Sequence, residues 1–261
     1  MKLLVLPLVL ILGVSSSVFA TSFSADAVQI YDGQFSHSRM FWSSGNVRFE
    51  YLEEGVPMVQ IIDRDDSKLI WLDTENKIYI ERELDNAQPP QLTVNKQKPL
   101  ANPCAVFVGA ECTRLKEAVV NQRDSVKWLV TLNIQGQDQH LFQWLDKKLN
   151  IPLRQLNPDG SMLDVVVQEN LEMNGRKVRK HEIYAVGPDG NRNHSIQWHD
   201  TELDIVVRQQ NDDGSMDELR NIKVEQISKE KFSIPKDYKQ FDASILAPKP
   251  EAFASKKQLT D

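Results

Sequence analysis

The chain has 261 residues, 31 Lys and Arg against 37 Asp and Glu, a formal charge of −6 at pH 7, and 41% hydrophobic residues. That length builds one large domain or two small ones, with a core that needs neither metal nor many disulfides. The acidic balance, with no basic cluster, argues against nucleic acid as a partner.

Residues 1–20 have the order of a cleavable secretory signal. Met1-Lys2 supplies a positive start, Leu3 to Val14 is apolar apart from Pro7 and Gly13, and Val18-Phe19-Ala20 fits a cleavage site after Ala20. The apolar run is shorter than the ~20 residues that span a bilayer comfortably. An uncleaved anchor is the alternative. The only cysteines, Cys104 and Cys112, lie far from that site, so no lipid-modified cysteine follows it. No later segment is apolar enough to cross a membrane, and the mature chain is expected to be soluble and to work outside the cytoplasm.

The first mature segment, Asp26 to Tyr31, reads as either a helix or a strand. Val47 to Tyr51 alternates apolar and charged residues, the period-two mark of a half-buried strand. Met58 to Ile62, Leu69 to Leu72 and Ile78 to Glu81 are further short runs of branched and aromatic residues. Glu54-Gly55, Asp63 to Asp66 and Asp73 to Asn76 separate them as turns, giving an antiparallel meander. Leu84 to Pro103 holds four prolines among polar residues and reads as a loop. Glu111 to Val120 lacks Gly and Pro and is expected to form one short helix. Cys104 and Cys112, eight positions apart, read as a structural disulfide in an oxidising compartment. A redox-active pair is the alternative, but it normally needs a tighter Cys-x-x-Cys spacing.

A repeat shifted by 54 residues follows, with copies at about 121–173 and 174–227. Trp144, Asp146, Leu149 and Ile151 return as Trp198, Asp200, Leu203 and Ile205. Arg154 to Met162 returns as Arg208 to Met216, each with an Asp-Gly pair expected to make a hairpin turn with two positive-φ residues. Asn121-Gln122-Arg123 matches Asn174-Gly175-Arg176 at a shift of 53. Two copies imply one continuous curved sheet and are too few for a propeller or solenoid. The tail 243–261 is polar and reads as disordered.

Little in the sequence demands a reaction. His37, His140, His181, His194 and His199 lack zinc spacing, and no nucleophile elbow, phosphate loop or dinucleotide fingerprint occurs. The two Asp-Gly-Ser-Met stretches lack the ligand register of a calcium loop. Asp146 and Asp200 form a conceivable acid–base pair, but equivalent positions in repeats more often mark equivalent strand ends. No catalytic residue, metal or cofactor is assigned, and no enzyme activity is expected.

The aromatics of the predicted strands admit two readings. They fill a sheet core, or some line a cavity for an acyl chain or another apolar ligand. The ligand-binding candidates are Phe49, Trp71, Tyr79, Trp128, Phe142, Trp144 and Trp198.

Two blocks carry a family resemblance. The first runs from Asn46-Val47-Arg48-Phe49-Glu50-Tyr51 through Asp63 and Leu69-Ile70-Trp71-Leu72-Asp73 to Lys77-Ile78-Tyr79. The second runs from Gln197-Trp198-His199-Asp200 through Glu218 to Ile222 and closes in Phe232-Ser233-Ile234-Pro235-Lys236-Asp237-Tyr238. Together they resemble the LolA/LolB/RseB superfamily, periplasmic proteins related to outer-membrane lipoprotein sorting. The resemblance implies a mainly β (α+β) fold over residues 21–242: a single domain with a large curved antiparallel sheet or open half-barrel and one or a few helices on its concave side. It further implies a Gram-negative periplasm, with lipid or lipoprotein acyl chains as ligand. The alternative is an envelope protein partner without lipid. The family offers no catalytic residue to carry over.

Overall fold

The computed structural model describes residues 22–84, 102–105, 107, 109–134 and 136–241. The secretory signal, most of the Leu84–Pro103 loop and the 243–261 tail therefore lie outside the described residues. The strands are β1 (Phe23–Tyr31), β2 (Gln34–Ser43), β3 (Asn46–Glu53), β4 (Val56–Asp63), β5 (Lys68–Asp73), β6 (Ile78–Glu83), β7 (Glu111–Val120) and β8 (Arg123–Ile134). They continue as β9 (Gln137–Asp146), β10 (Pro152–Leu156), β11 (Met162–Met173), β12 (Arg176–Val186), β13 (Arg192–Asp200), β14 (Ile205–Asn211), β15 (Met216–Val224) and β16 (Lys239–Gln240).

All sixteen belong to one open sheet, in the order β16-β6-β5-β4-β3-β2-β1-β15-β14-β13-β12-β11-β10-β9-β8-β7. Two antiparallel meanders, β1–β6 and β7–β15, are joined where β1 pairs with β15. The chain between β6 and β7 thus connects strands near opposite edges of the sheet. Only β16 runs parallel to its neighbour, β6.

Asp26 to Tyr31 is strand, within β1. Glu111 to Val120 is also strand, which corrects the helix expected there. The misreading has a physical cause. β7 lies at the sheet edge with most residues exposed, so no single face is buried and alternation is lost. A register shift between Arg114 and Lys116 also adds an unpaired residue, Leu115. The described residues contain no α-helix, only short 3-10 turns at Pro103–Ala105 and Lys229–Phe232. The helices expected over the sheet are therefore corrected as well. Part of the sheet is covered instead by the segment after β15. There Phe232 joins Val59, Ile61, Ile70 and Leu72 in one core, with Ile227, Ile234 and Tyr238 against it. Hydrogen bonds from Lys239 N to Lys77 O and Phe241 N to Tyr79 O pin that segment to the β6 edge.

A second core gathers Phe23, Met40, Trp42, Val47 and Phe49 with Val178, Ile205, Val207 and Leu219, so it draws on both meanders. A third holds Val126, Trp128 and Leu145, with Cys112 packed on it. The Cys104–Cys112 disulfide is formed, with Cα atoms 5.8 Å apart. It ties the turn Pro103–Ala105 to the start of the edge strand β7.

Four hairpins share one local device. Asp63, Asp73, Asp146 and Asp200 end a strand, and each Oδ1 accepts backbone N–H groups two and three residues on. The fourth residue after each aspartate (Ser67, Lys77, Asn150, Asp204) has positive φ and returns the chain to the next strand. The aspartate side chain supplies the turn's missing acceptor, which is why these loops form without glycine. At the Asp-Gly pairs only Gly160 and Gly214 take positive φ, not both central residues as expected. The turn closes through Gly160 N to Asn157 O and Gly214 N to Asn211 O, leaving glycine alone in the left-handed position.

Contacts recur 53 or 54 residues apart. Arg123 Nε donates to Asp146 as Arg176 Nε does to Asp200. Gln143, Gln155, Asn157 and Ser161 form a side-chain hydrogen-bond chain, and Gln197, Gln209, Asn211 and Ser215 form its counterpart. The ladder shifts register around Leu153 and again around Val207, both fully buried.

Candidate functional site

Cross-strand partners share a sheet face, and residues two apart on one strand do too. On one face, Leu129, Phe142, Leu156, Met162 and Val186 are successive partners on β8 to β12. All five are partly exposed. A parallel row on the same face holds Lys127, Trp144, Arg154, Asp164, Tyr184 and His194. Beyond it, Val166 pairs with Glu182, which pairs with Ile196. This apolar band with a polar margin is the most ligand-like surface among the described residues.

The predicted aromatic set does not converge on one wall. Phe142 and Trp144 sit together in the band, ring centroids 6.4 Å apart. Trp198 is on the same face two strands beyond β11, packed against the second core and under the Arg208 guanidinium at 5.0 Å. Trp128 points to the opposite face, because it pairs with Gln143 while Lys127 pairs with Trp144. It is buried in the third core. Phe49 is buried in the second core, and Tyr79 packs on the one closed by Phe232. Trp71 shares the face of Phe49 through Gln60 and lies under Arg82 at 5.6 Å. Sequence reasoning missed Leu129, Leu156, Met162, Val186 and Lys127. Their signal is register across five strands, which no single strand carries.

Most charges in the band are paired. Arg154 reaches both carboxylate oxygens of Asp164, at 2.7 and 3.1 Å. Lys180 bonds Glu182, which also accepts from the Tyr184 hydroxyl. His194 stacks on Tyr184 and shares a hydrogen bond with Asp212 through Nδ1. Lys127 differs. Its ammonium lies 4.0 Å from the Phe142 ring centroid and 4.7 Å from that of Trp144. Among the described residues no carboxylate pairs with it.

Asp146 and Asp200 are buried ends of hairpins. Burial alone would raise the Asp146 carboxyl, but hydrogen bonds from Arg123 and from the N–H groups of Leu149 and Lys148 outweigh it and hold it below the usual range. Such a group is a structural anion. His181 and His199 lie on the opposite face, with ring centroids 4.2 Å apart and planes tilted by 34°. Burial, then the neighbouring His199 and Arg179, push His181 down to about 3. Burial and Arg179 push His199 down to about 4. Among the described residues no three His, Cys, Asp or Glu side chains gather as metal ligands. Nor is any helix among them long and apolar enough to cross a membrane.

No protein-family model matches the chain, and no curated protein matches it significantly. Several solved structures resemble it at low overlap. PNGF-II is 8% identical with a TM-score of 0.32 over 87% of this chain, which spans only 32% of PNGF-II. A DUF1329 family protein from Desulfovibrio piger is 11% identical with a TM-score of 0.30, covering 82% of this chain and 90% of its own. A LolA superfamily protein from Nitrosomonas europaea is 12% identical with a TM-score of 0.27, covering 84% and 92%. Identities and overlaps of this size assign no ligand or partner to the chain.

Proposed function

We propose that the protein is a non-enzymatic periplasmic carrier or sensor that holds an acyl chain of a lipid or lipoprotein on the face formed by β8 to β12. The observation that carries this reading is the row Leu129, Phe142, Leu156, Met162 and Val186, five partly exposed apolar partners on neighbouring strands. Contiguous apolar surface on a soluble domain marks a place where something binds. Delipidated protein titrated with a fluorescent fatty-acyl probe should bind it saturably, and Leu156→Asp should weaken that binding at least ten-fold, since a carboxylate in the row must be desolvated. Delipidated protein that binds no acyl probe would refute the reading.

A second reading, an envelope protein-interaction module without lipid, is supported by β7. Among the described residues this outer strand has an unpaired edge, with Leu115 and Val119 exposed. Its bulge and its Lys and Glu side chains oppose indiscriminate pairing.

A further inference from the structure

We infer that the ligand of the β8–β12 face is a single-chain anionic amphiphile, a long-chain fatty acid, with its carboxylate at Lys127 and its chain along the row from Leu129 to Val186. This rests on the acyl-binding reading above and specifies its chemistry. Two observations carry it.

The first is charge. The cations Arg154 and Lys180 are neutralised by Asp164 and Glu182, whereas Lys127 at the β8 end of the row has no carboxylate among the described residues. Its ammonium is held over Phe142 and Trp144 by the ring quadrupoles, which leave its N–H donors available to an incoming anion. Lys116, the cross-strand neighbour of Lys127 on β7, likewise has no carboxylate among the described residues, so this end of the row presents positive charge that matches an anionic head.

The second is length. Five neighbouring strands are four inter-strand gaps of ~4.8 Å, so the row is about 19 Å long, roughly an extended long-chain fatty acyl group. The row crosses the strands at right angles, so the chain lies along the side chains of Leu, Phe, Leu, Met and Val and meets charge where the Lys127 ammonium stands over Phe142.

The test compares palmitate with uncharged monopalmitin, each delivered from cyclodextrin and followed by intrinsic tryptophan fluorescence. The intact chain should bind palmitate about five- to ten-fold more tightly, the size of one partly desolvated charge-assisted contact. Lys127→Gln should remove that preference, lowering palmitate affinity about five- to ten-fold more than monopalmitin affinity. Should Lys127→Gln fold poorly, raised ionic strength on the unmodified protein gives an independent answer: palmitate binding weakens and monopalmitin binding does not. Equal affinity for the two ligands in the unmodified protein, or a preference that survives both Lys127→Gln and high salt, overturns the inference while leaving acyl binding intact. Failure to bind either ligand sinks the acyl-binding reading itself.

Discussion

His181 and His199 sit on neighbouring strands with ring centroids 4.2 Å apart and planes tilted by 34°, and among the described residues His181 Nε2 is buried without a hydrogen-bond partner. Both rings titrate well below an unfolded-chain histidine, at about 3 and about 4. The unfolded chain therefore takes up protons first as the pH falls. The stability linked to this pair is complete above about pH 6.5 and is lost as the pH drops toward about 4 and then about 3. Between pH 6.5 and 5 the loss is about 2–4 kcal/mol for the two rings together. In the preceding copy the matching positions hold Trp128 and Leu145, which pack together in an apolar core. The double change His181→Trp with His199→Leu should flatten the dependence of the urea midpoint on pH over this window. An unchanged slope would assign the titration to other groups.

Asp200 and Asp73 make the same turn with different surroundings. Each accepts two backbone N–H groups through Oδ1. Asp200 is fully buried and also holds Arg176, whereas Asp73 is partly exposed and has Asn76 as its side-chain partner. Asp200→Ala leaves the Arg176 guanidinium only its exposed partner Glu202, at 3.4 Å, and should lower stability by about 2–4 kcal/mol. Asp73→Ala loses solvated hydrogen bonds and should lower it by about 1 kcal/mol. Equal losses in chemical denaturation would mean that the turn itself, and not the buried ion pair, sets the value.

These hairpins show what was legible in the sequence. Trp71-Leu72-Asp73, Trp144-Leu145-Asp146 and Trp198-His199-Asp200 mark strand ends because alternation and turn chemistry are both local. The strand nature of β7 was not legible, since an edge strand exposed on both faces has no apolar stripe, and Leu, Lys, Glu and Ala favour helix. Phe142 and Trp144 were recognisable as candidates, but their separation from Trp128 depends on the pairing of Lys127 with Trp144. The histidine pair was hidden for the same reason: 18 positions separate the two residues, and only the alignment of the copies places them beside Trp128 and Leu145.

The turn between β7 and β8 carries a local strain that its counterpart avoids. Asn121 and Gln122 both take positive φ, at 50° and 63°, in a two-residue hairpin loop. The corresponding loop between β11 and β12 uses Asn174 and Gly175. A left-handed non-glycine residue costs about 1–2 kcal/mol, partly offset in glycine by its greater freedom when unfolded. Gln122→Gly should therefore raise stability by about 0.5–1 kcal/mol, and Gly175→Gln should lower it comparably. An added Cβ at Gly175 meets no atom within 4 Å, so the change reports backbone conformation and not a clash. Movement of both midpoints in the same direction would contradict this account.

Trp128 and Phe142 separate core from site in a single experiment. Trp128 is buried in the core with Val126 and Leu145, while Phe142 lies on the other face of the sheet, partly exposed beneath the Lys127 ammonium. Trp128→Ala removes a large buried ring and should lower stability by about 3–5 kcal/mol. Under conditions where the variant remains folded, its affinity for an acyl probe should stay unchanged. Phe142→Ala removes a half-exposed ring, should lower stability by no more than about 2 kcal/mol, and should weaken the probe about ten-fold. Urea titration and probe binding on the same two preparations give all four values. If Trp128→Ala abolishes binding in folded protein while Phe142→Ala leaves it intact, the ligand lies on the opposite face, among the side chains that pair with Gln143.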